Sequence, residues 1–209
     1  MANDLRVQKT KAAIIEAFID LLNVKDFAAI TVRDIADAAH VGRGTFYLHY
    51  QDKYDLLNTL ADDCIDQISK DFHPMQLFKD KQINTERIKA YLIRNLSILE
   101  KNARIYRAVL FGEGVPSFGK KLRERLMDVA YHEFPALIPQ SARSAELEIL
   151  PQFFSSGLLG LLDWWFRTDM RTSKETLARV LISILTVGPF QSLGFRFTQS
   201  NTHNYDEKV

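Results

Sequence analysis

The chain has 209 residues, 46% hydrophobic and 25% charged, with a formal net charge of +1. That length and balance suit one large domain or two small ones with a real core, and they exclude a disordered chain except at its ends. Near-neutrality also excludes recognition of a polyanion by bulk charge, because even the first 54 residues hold seven Lys/Arg against seven Asp/Glu.

Apolar residues recur three and four apart almost throughout, and no run alternates with period two, so the expected class is all-α. Ile14, Phe18, Leu21 and Leu22 predict a first helix over about Lys9 to Asn23. Thr31 is placed as an N-cap for a short second helix, with Val32, Ile35, Ala36 and Ala39 as its narrow apolar stripe. Leu56, Leu57, Leu60, Cys64 and Ile68 mark a helix over about Asp52 to Phe72. His73-Pro74 breaks the pattern and sets the expected domain boundary, giving domains 1–72 and 73–198 and a polar tail 199–209 that frays.

The second part reads as more helices. They run over about Thr85 to Lys101, then "ARIYRAVLF", then Lys120 to Phe134, with breaks at "GEGVPSFGK" and at Pro135 and Pro139. Leu147, Leu150, Phe154, Leu158, Leu161 and Trp165 form one stripe of a long helix that Pro151 should bend. Phe153, Gly157, Gly160 and Trp164 form a second stripe on the same helix. A final helix over about Ser173 to Val187 carries Leu177, Val180, Leu181, Ile184 and Val187.

The stretch "HVGRGTFYLHY", from His40 to Tyr50, is too polar for a core and too aromatic for a solvated helix. With the helix before it, it has the spacing of a helix-turn-helix, whose second helix enters the DNA major groove. His40 falls where the turn calls for a left-handed backbone, a conformation in which histidine is enriched. Val41 should lock the two helices and Gly42 should cap the second, which presents Arg43, Gly44, Thr45, Tyr47 and Leu48 outward and turns Phe46 inward. Arg43 has the fork for guanine or phosphate; Gly44 allows close approach; Thr45 suits a thymine methyl or a phosphate. Tyr47, His49 and Tyr50 carry polar groups suited to phosphates, and Lys53 and Arg33 add cations nearby. His49 has a second reading as a helix-ending residue, and Thr31 is a cap whether or not it also meets a phosphate.

"TVRDIADAAHVGRGTFYLHYQDKYDLL" resembles the DNA-binding signature of the TetR family, roughly T-x-x-x-I-A-x-x-A-G-V-S-x-G-T-x-Y-x-H-F-x-x-K-x-x-L. The matches are Thr31, Ile35, Ala36, Ala39, Val41, Gly44, Thr45, Tyr47, His49, Lys53 and Leu56, with Tyr50 in place of Phe. His40 replaces the turn glycine and Gly42 the capping serine. The resemblance is specific over about the first 55–70 residues and extends beyond them only in layout. It implies an N-terminal three-helix helix-turn-helix domain and a C-terminal helical domain for ligand binding and dimerisation.

The resemblance places a dimer interface on the last two helices, with Leu150, Phe154, Leu158, Leu161, Leu177, Leu181 and Ile184 as its residues. A helix apolar on two faces needs two partners, either within the chain or in a second copy. The family's small-molecule effector site would draw on Tyr91, Arg104, Tyr106, Arg107, Phe111, Phe153 and Trp164, with Trp165, His132 and Asp163 as further candidates. Aromatics at this spacing also read as core, and Asp163 as a partner of Arg167.

No catalytic constellation is present in the sequence. "GEG" at Gly112–Gly114 follows no strand, Cys64 lies on an apolar stripe, and the five histidines lack metal spacing. Neither cofactor nor metal is expected. The single cysteine fits a reducing compartment. "MANDLRVQKT" has no signal-peptide core, and "FFSSGLLGLLDWWF" is too short and too charged to span a bilayer. A cytoplasmic protein without membrane partners is therefore expected. Its expected partners are double-stranded DNA, a second copy and an unidentified small-molecule effector. Its expected role is ligand-responsive repression at a palindromic operator. The rival readings are an activator or co-activator of the same fold, and a helical enzyme or interaction module that does not read DNA.

Overall fold

The computed structural model describes residues 2–70, 78–79, 82–111, 118–133, 144–188, 191 and 193. The helices are α1 (Ala2–Leu22), α2 (Val32–Ala38), α3 (Arg43–Tyr47), α4 (Lys53–Ser69), α5 (Thr85–Lys101), α6 (Ala103–Phe111), α7 (Phe118–Glu133), α8 (Ser144–Arg167) and α9 (Lys174–Val187). A 3-10 turn, Phe27–Ala29, joins α1 to α2. The expected helices are present with small shifts at their ends. The expected boundary at His73-Pro74 and the tail 199–209 lie outside the described residues.

Two differences have physical causes. The first helix begins at Ala2, not near Lys9. An apolar stripe marks only the buried part of a helix, and no Gly or Pro interrupts the residues before it. Between α4 and α5, β1 (Phe78–Lys79) and β2 (Gln82–Ile83) pair antiparallel, Phe78 opposite Ile83 and Lys79 opposite Gln82. Two residues per strand are too few to show a period of two.

One core runs through both halves. Ile14, Phe18, Phe27, Ile35 and Phe46 fill the N-terminal end; Tyr106, Val109, Leu162, Trp165 and Phe166 fill the other. Leu56, Leu57, Leu60, Cys64 and Ile65 of α4 join them. Burial pushes the Cys64 thiol up to about 12, so it is a packing group rather than a nucleophile. Tyr106 is fully buried, and its hydroxyl donates to the Cys64 carbonyl (3.0 Å), with Gln67 Oε1 at 3.2 Å. Tyr91 donates to the Ile68 carbonyl at 3.1 Å. Arg104 of α6 pairs with Glu16 and Asp20 of α1, and Lys121 of α7 with Asp62 of α4. Ion pairs and hydroxyls thus fasten the far end of α4 and the second half of α1 beneath the C-terminal helices.

The last two helices pack on different neighbours, α8 on α7 and α9 on α5. Pro151, Ser155, Leu162 and Trp165 of α8 are buried, and α8 runs unbroken across Pro151. The Trp165 indole donates to the Thr172 carbonyl at 2.8 Å, closing the turn before α9.

Candidate nucleic-acid interface

The helix-turn-helix is built by local rules. Thr31 Oγ1 accepts from the Asp34 amide (3.1 Å), and the Asp34 carboxylate accepts from the Thr31 amide (2.9 Å). This is a complete capping box. Those two bonds, with Lys25 beside them, hold the Asp34 carboxyl below its ordinary value. A depressed carboxylate stabilises the fold above its ordinary range and loses that contribution as pH falls through the folded value. The cap is therefore expected to weaken only in strong acid.

His40 has φ 55°, as the turn requires, and Val41 donates to the Ala36 carbonyl at 3.0 Å. Gly42 caps α3 from an extended backbone with no side chain to accept a bond. Both positions leave stability unclaimed. His40→Gly should stabilise the domain by about 0.5–1 kcal/mol by removing left-handed strain. Gly42→Ser should add a few tenths of a kcal/mol, since its Cβ would lie at ordinary contact, 3.8 Å from Thr45 Oγ1. Thermal unfolding of the two variants checks both.

On α3, Phe46 is fully buried while Arg43, Gly44, Tyr47 and Leu48 are exposed and Thr45 is half-buried. Phe46 anchors the helix, its ring edge-on to Tyr47 at 5.6 Å. A Cβ at Gly44 would meet nothing within 4 Å, so internal packing does not require glycine there. Glycine in a helix costs about 0.5–1 kcal/mol relative to alanine, and what it supplies at this surface is clearance for something outside the chain. Leu48, at 80% exposure, is an apolar tip beside two polar groups, the composition suited to a base edge with a methyl. Arg33 is exposed and lies 3.6 Å from Asp37 one turn on. His49 is half-buried, edge-on to Tyr50 at 6.4 Å.

Two expected phosphate contacts are corrected. Tyr50 is 4% exposed and packs on Phe46 at 5.7 Å; burial, with Asp63 and Asp55 nearby, pushes its hydroxyl pKa up. It is a core ring that sets the pitch of α3 against α4. Lys53 donates to the carbonyls of Phe27 (2.8 Å), Ala28 (3.1 Å) and Ile30 (2.8 Å), using all three ammonium hydrogens. It also lies 4.6 Å from the centre of the Phe27 ring. Lys53 is thus a clasp that fixes the start of α4 to the 3-10 turn. Sequence alone could not show this, because its acceptors are main-chain oxygens more than twenty residues away. Lys53→Met should destabilise the chain by about 2 kcal/mol, since three charged hydrogen bonds are lost, the Phe27 carbonyl alone of the three being seen to keep a backbone donor, the Ile30 amide. A fall in Tm of roughly 4–8 °C would register it.

The expected effector residues divide between α4 contacts and the surface of α8. Tyr91, Tyr106 and Arg104 are tied to α4 and α1, and Arg107 pairs with Asp169 at 3.1 Å. Phe153 and Trp164 are exposed on α8, and the side chain of Phe111 lies outside the described ones. An open groove of about 390 Å³ is lined by Gln67 of α4, whose amide oxygen accepts from the Tyr106 hydroxyl, and by Arg94, Ser97, Ile98, Lys101 and Asn102. No group of His, Cys, Asp and Glu that could hold a metal occurs among the described residues. No described helix is long and apolar enough to cross a membrane.

The expected dimer residues divide. Leu150 and Phe154 are exposed, while Leu158, Leu161 and Leu181 pack against the core and Ile184 is half-buried. Leu177 is 3% exposed and belongs to the core. The outward face of α8 instead carries Ile149, Phe153 and Trp164, at 63%, 65% and 45% exposure, with Gly157 and Gly160 between the two rings. A Cβ on either glycine would meet nothing within 4 Å. Residues of both stripes, Leu150 and Phe154 of one and Phe153 and Trp164 of the other, are thus exposed on α8.

A three-helix head with its reading helix bare, joined by a capped connecting helix to a larger helical body, is the architecture of a helix-turn-helix transcription regulator. Residues 14–60 match the model described as bacterial regulatory proteins, tetR family, and residues 86–187 match a transcriptional regulator C-terminal region. The chain belongs to the TetR family of transcriptional regulators, and is not an enzyme. An uncharacterized HTH-type transcriptional regulator of Bacillus subtilis, YxbF, is 29% identical over 193 residues, 90% of this chain and 47% of that protein. The chain thus spans about half the length of that curated relative. A TetR transcriptional regulator from Streptococcus agalactiae shares 28% identity with a TM-score of 0.63, over 88% of this chain and 98% of that one. NalD, the secondary repressor of a multidrug efflux pump in Pseudomonas aeruginosa, shares the fold at 20% identity and a TM-score of 0.62, over 87% and 96% of the two chains.

Proposed function

We propose that this regulator binds palindromic operator DNA as a homodimer and represses transcription until a small-molecule effector releases it. The observation that carries the DNA reading is the bare face of α3: Arg43, Gly44, Thr45, Tyr47 and Leu48 on a helix pinned from behind by Phe46 and Tyr50. Arg43 addresses a guanine edge or a phosphate, Thr45 and Leu48 a thymine methyl, and Tyr47 and His49 the backbone. Thr31 and Arg33, on the first turn of α2, add contacts from the neighbouring helix. Two reading helices roughly one DNA turn apart, about 34–36 Å, match an inverted repeat.

The exposed rings of α8 support a second copy as the partner. An apolar face of this kind, with two glycines that permit close approach, is covered in a stable regulator. Effector response is supported by Gln67, whose side chain lines the groove and also touches the Tyr106 hydroxyl. A ligand that pulls on Gln67 moves α4, and α4 carries the Lys53 clasp into the reading head. Tyr106→Phe should leave operator affinity unchanged while weakening the effector's release of DNA, read as a smaller shift in a competition titration.

In vitro selection from random duplexes tests the function directly. An enriched inverted repeat with half-sites about one turn (roughly 10 bp) apart is the expected result. Enrichment of no sequence would contradict it.

A further inference from the structure

The groove beside α5 is lined in a one-sided way. Arg94, Ser97, Ile98 and Lys101 stand at i, i+3, i+4 and i+7, which is one face of that helix, with Asn102 at its end and Gln67 of α4 completing the lining. Two of these residues are cations and none is acidic. Glu100, the carboxylate next to Lys101 in sequence, is engaged by α9 instead, where Lys174 donates to it at 2.7 Å.

The polar groups of the lining differ in what they already do. The Ser97 hydroxyl donates to the Ile93 carbonyl (2.7 Å) and the Asn102 amide nitrogen to the Ile98 carbonyl (2.9 Å), each one turn back along the helix. Gln67 uses its amide oxygen on the Tyr106 hydroxyl at 3.2 Å, and its amide nitrogen has no acceptor among the described residues. Lys101 has no ion pair or side-chain hydrogen bond among them either. Arg94 brings five N–H groups in a fixed fork, enough for more than one acceptor. A cation at Lys101 also offsets the carbonyl end of α5, but Arg94 lies two turns earlier, beyond the reach of that effect. The groove therefore presents donors and positive charge beside the apolar Ile98. A cationic ligand would meet like charge there, and a neutral one would gain nothing from it; an anion gains from both cations.

We infer that this groove takes an organic anion as the effector, a carboxylate or a phosphate monoester whose oxygens accept from Arg94, Lys101 and Gln67 and whose carbon portion lies on Ile98. This rests on the effector reading above and names the chemistry of its site. Drawing the Gln67 amide nitrogen toward the anion pulls its oxygen from the Tyr106 hydroxyl. Negative charge in the groove is then felt where α4 is fastened to α6.

The test is calorimetric titration of the full chain with hexanoate, hexyl phosphate and hexanol at one ionic strength. The expected result is that an anion binds about ten-fold or more tightly than hexanol, and the tighter of the two anions identifies the headgroup. Arg94→Gln/Lys101→Gln should lower its affinity to that of hexanol, with circular dichroism as the control for folding. Lys101→Gln alone removes no internal contact among the described residues and should already weaken the anion several-fold. Equal binding of hexanol and the anions, no binding of either anion, or unchanged anion affinity in Lys101→Gln would overturn the inference. The same compounds are then added to the complex with the selected inverted repeat. Anions that bind the groove yet release no DNA would uphold the anion site and overturn the effector reading. Release by hexanol as readily as by the anions would uphold that reading and overturn the inference.

Discussion

Arg43→Ala is expected to abolish operator preference while leaving the fold intact. The side chain is exposed and unpaired among the described residues, so its removal costs the protein no internal contact. A bidentate guanine contact is worth about 1–3 kcal/mol of discrimination, and a palindrome uses it twice. The loss is therefore about 2–6 kcal/mol per dimer, or roughly thirty-fold to twenty-thousand-fold. Affinity for random DNA should change little. This pattern separates base reading by α3 from phosphate contact, where both duplexes weaken together. Competition titration against random DNA checks it; equal losses on both duplexes would place Arg43 on a phosphate.

Phe153→Glu/Trp164→Glu is expected to give a folded monomer. Phe153 is 65% and Trp164 45% exposed within one chain, and Phe153 meets Phe154 edge-on at 5.6 Å, so the substitutions disturb little internal packing. In a dimer each ring would bury against the partner, at about 2 kcal/mol apiece. A two-fold dimer loses four such rings, about 8 kcal/mol, which raises the dissociation constant several hundred-thousand-fold, before the cost of four carboxylates facing apolar surface. Sedimentation should show a single chain with unchanged helicity. Affinity for the inverted repeat should fall to that for a half-site. A variant that stays dimeric would move the interface away from this face of α8.

Much of this was legible in the residues. The capping box at Thr31, the left-handed turn at His40 and the inward Phe46 follow from short-range rules, because their causes lie within four residues. What escaped was long-range or one-sided. Lys53 reads as a free cation because nothing in the sequence marks three distant carbonyls as its partners. Tyr50 and Leu177 read as surface or interface groups because a stripe's period fixes which residues share a face, not which face is covered. For the same reason the exposed part of α8 draws on both stripes, Leu150 and Phe154 from one and Phe153 and Trp164 from the other. The first turns of α1 went unread as helix because residues 5–9 are exposed and leave no apolar stripe.

The central claim is that two copies of α3 read one inverted repeat. The most direct measurement is a stoichiometric titration of the chain onto the selected repeat and onto a single half-site, at low and high salt, with Arg43→Ala alongside. Two chains per repeat, much weaker binding to the half-site, and loss of the difference in the variant are the predicted results. One chain per repeat with equal affinity for both duplexes, unaffected by Arg43→Ala, would contradict the account.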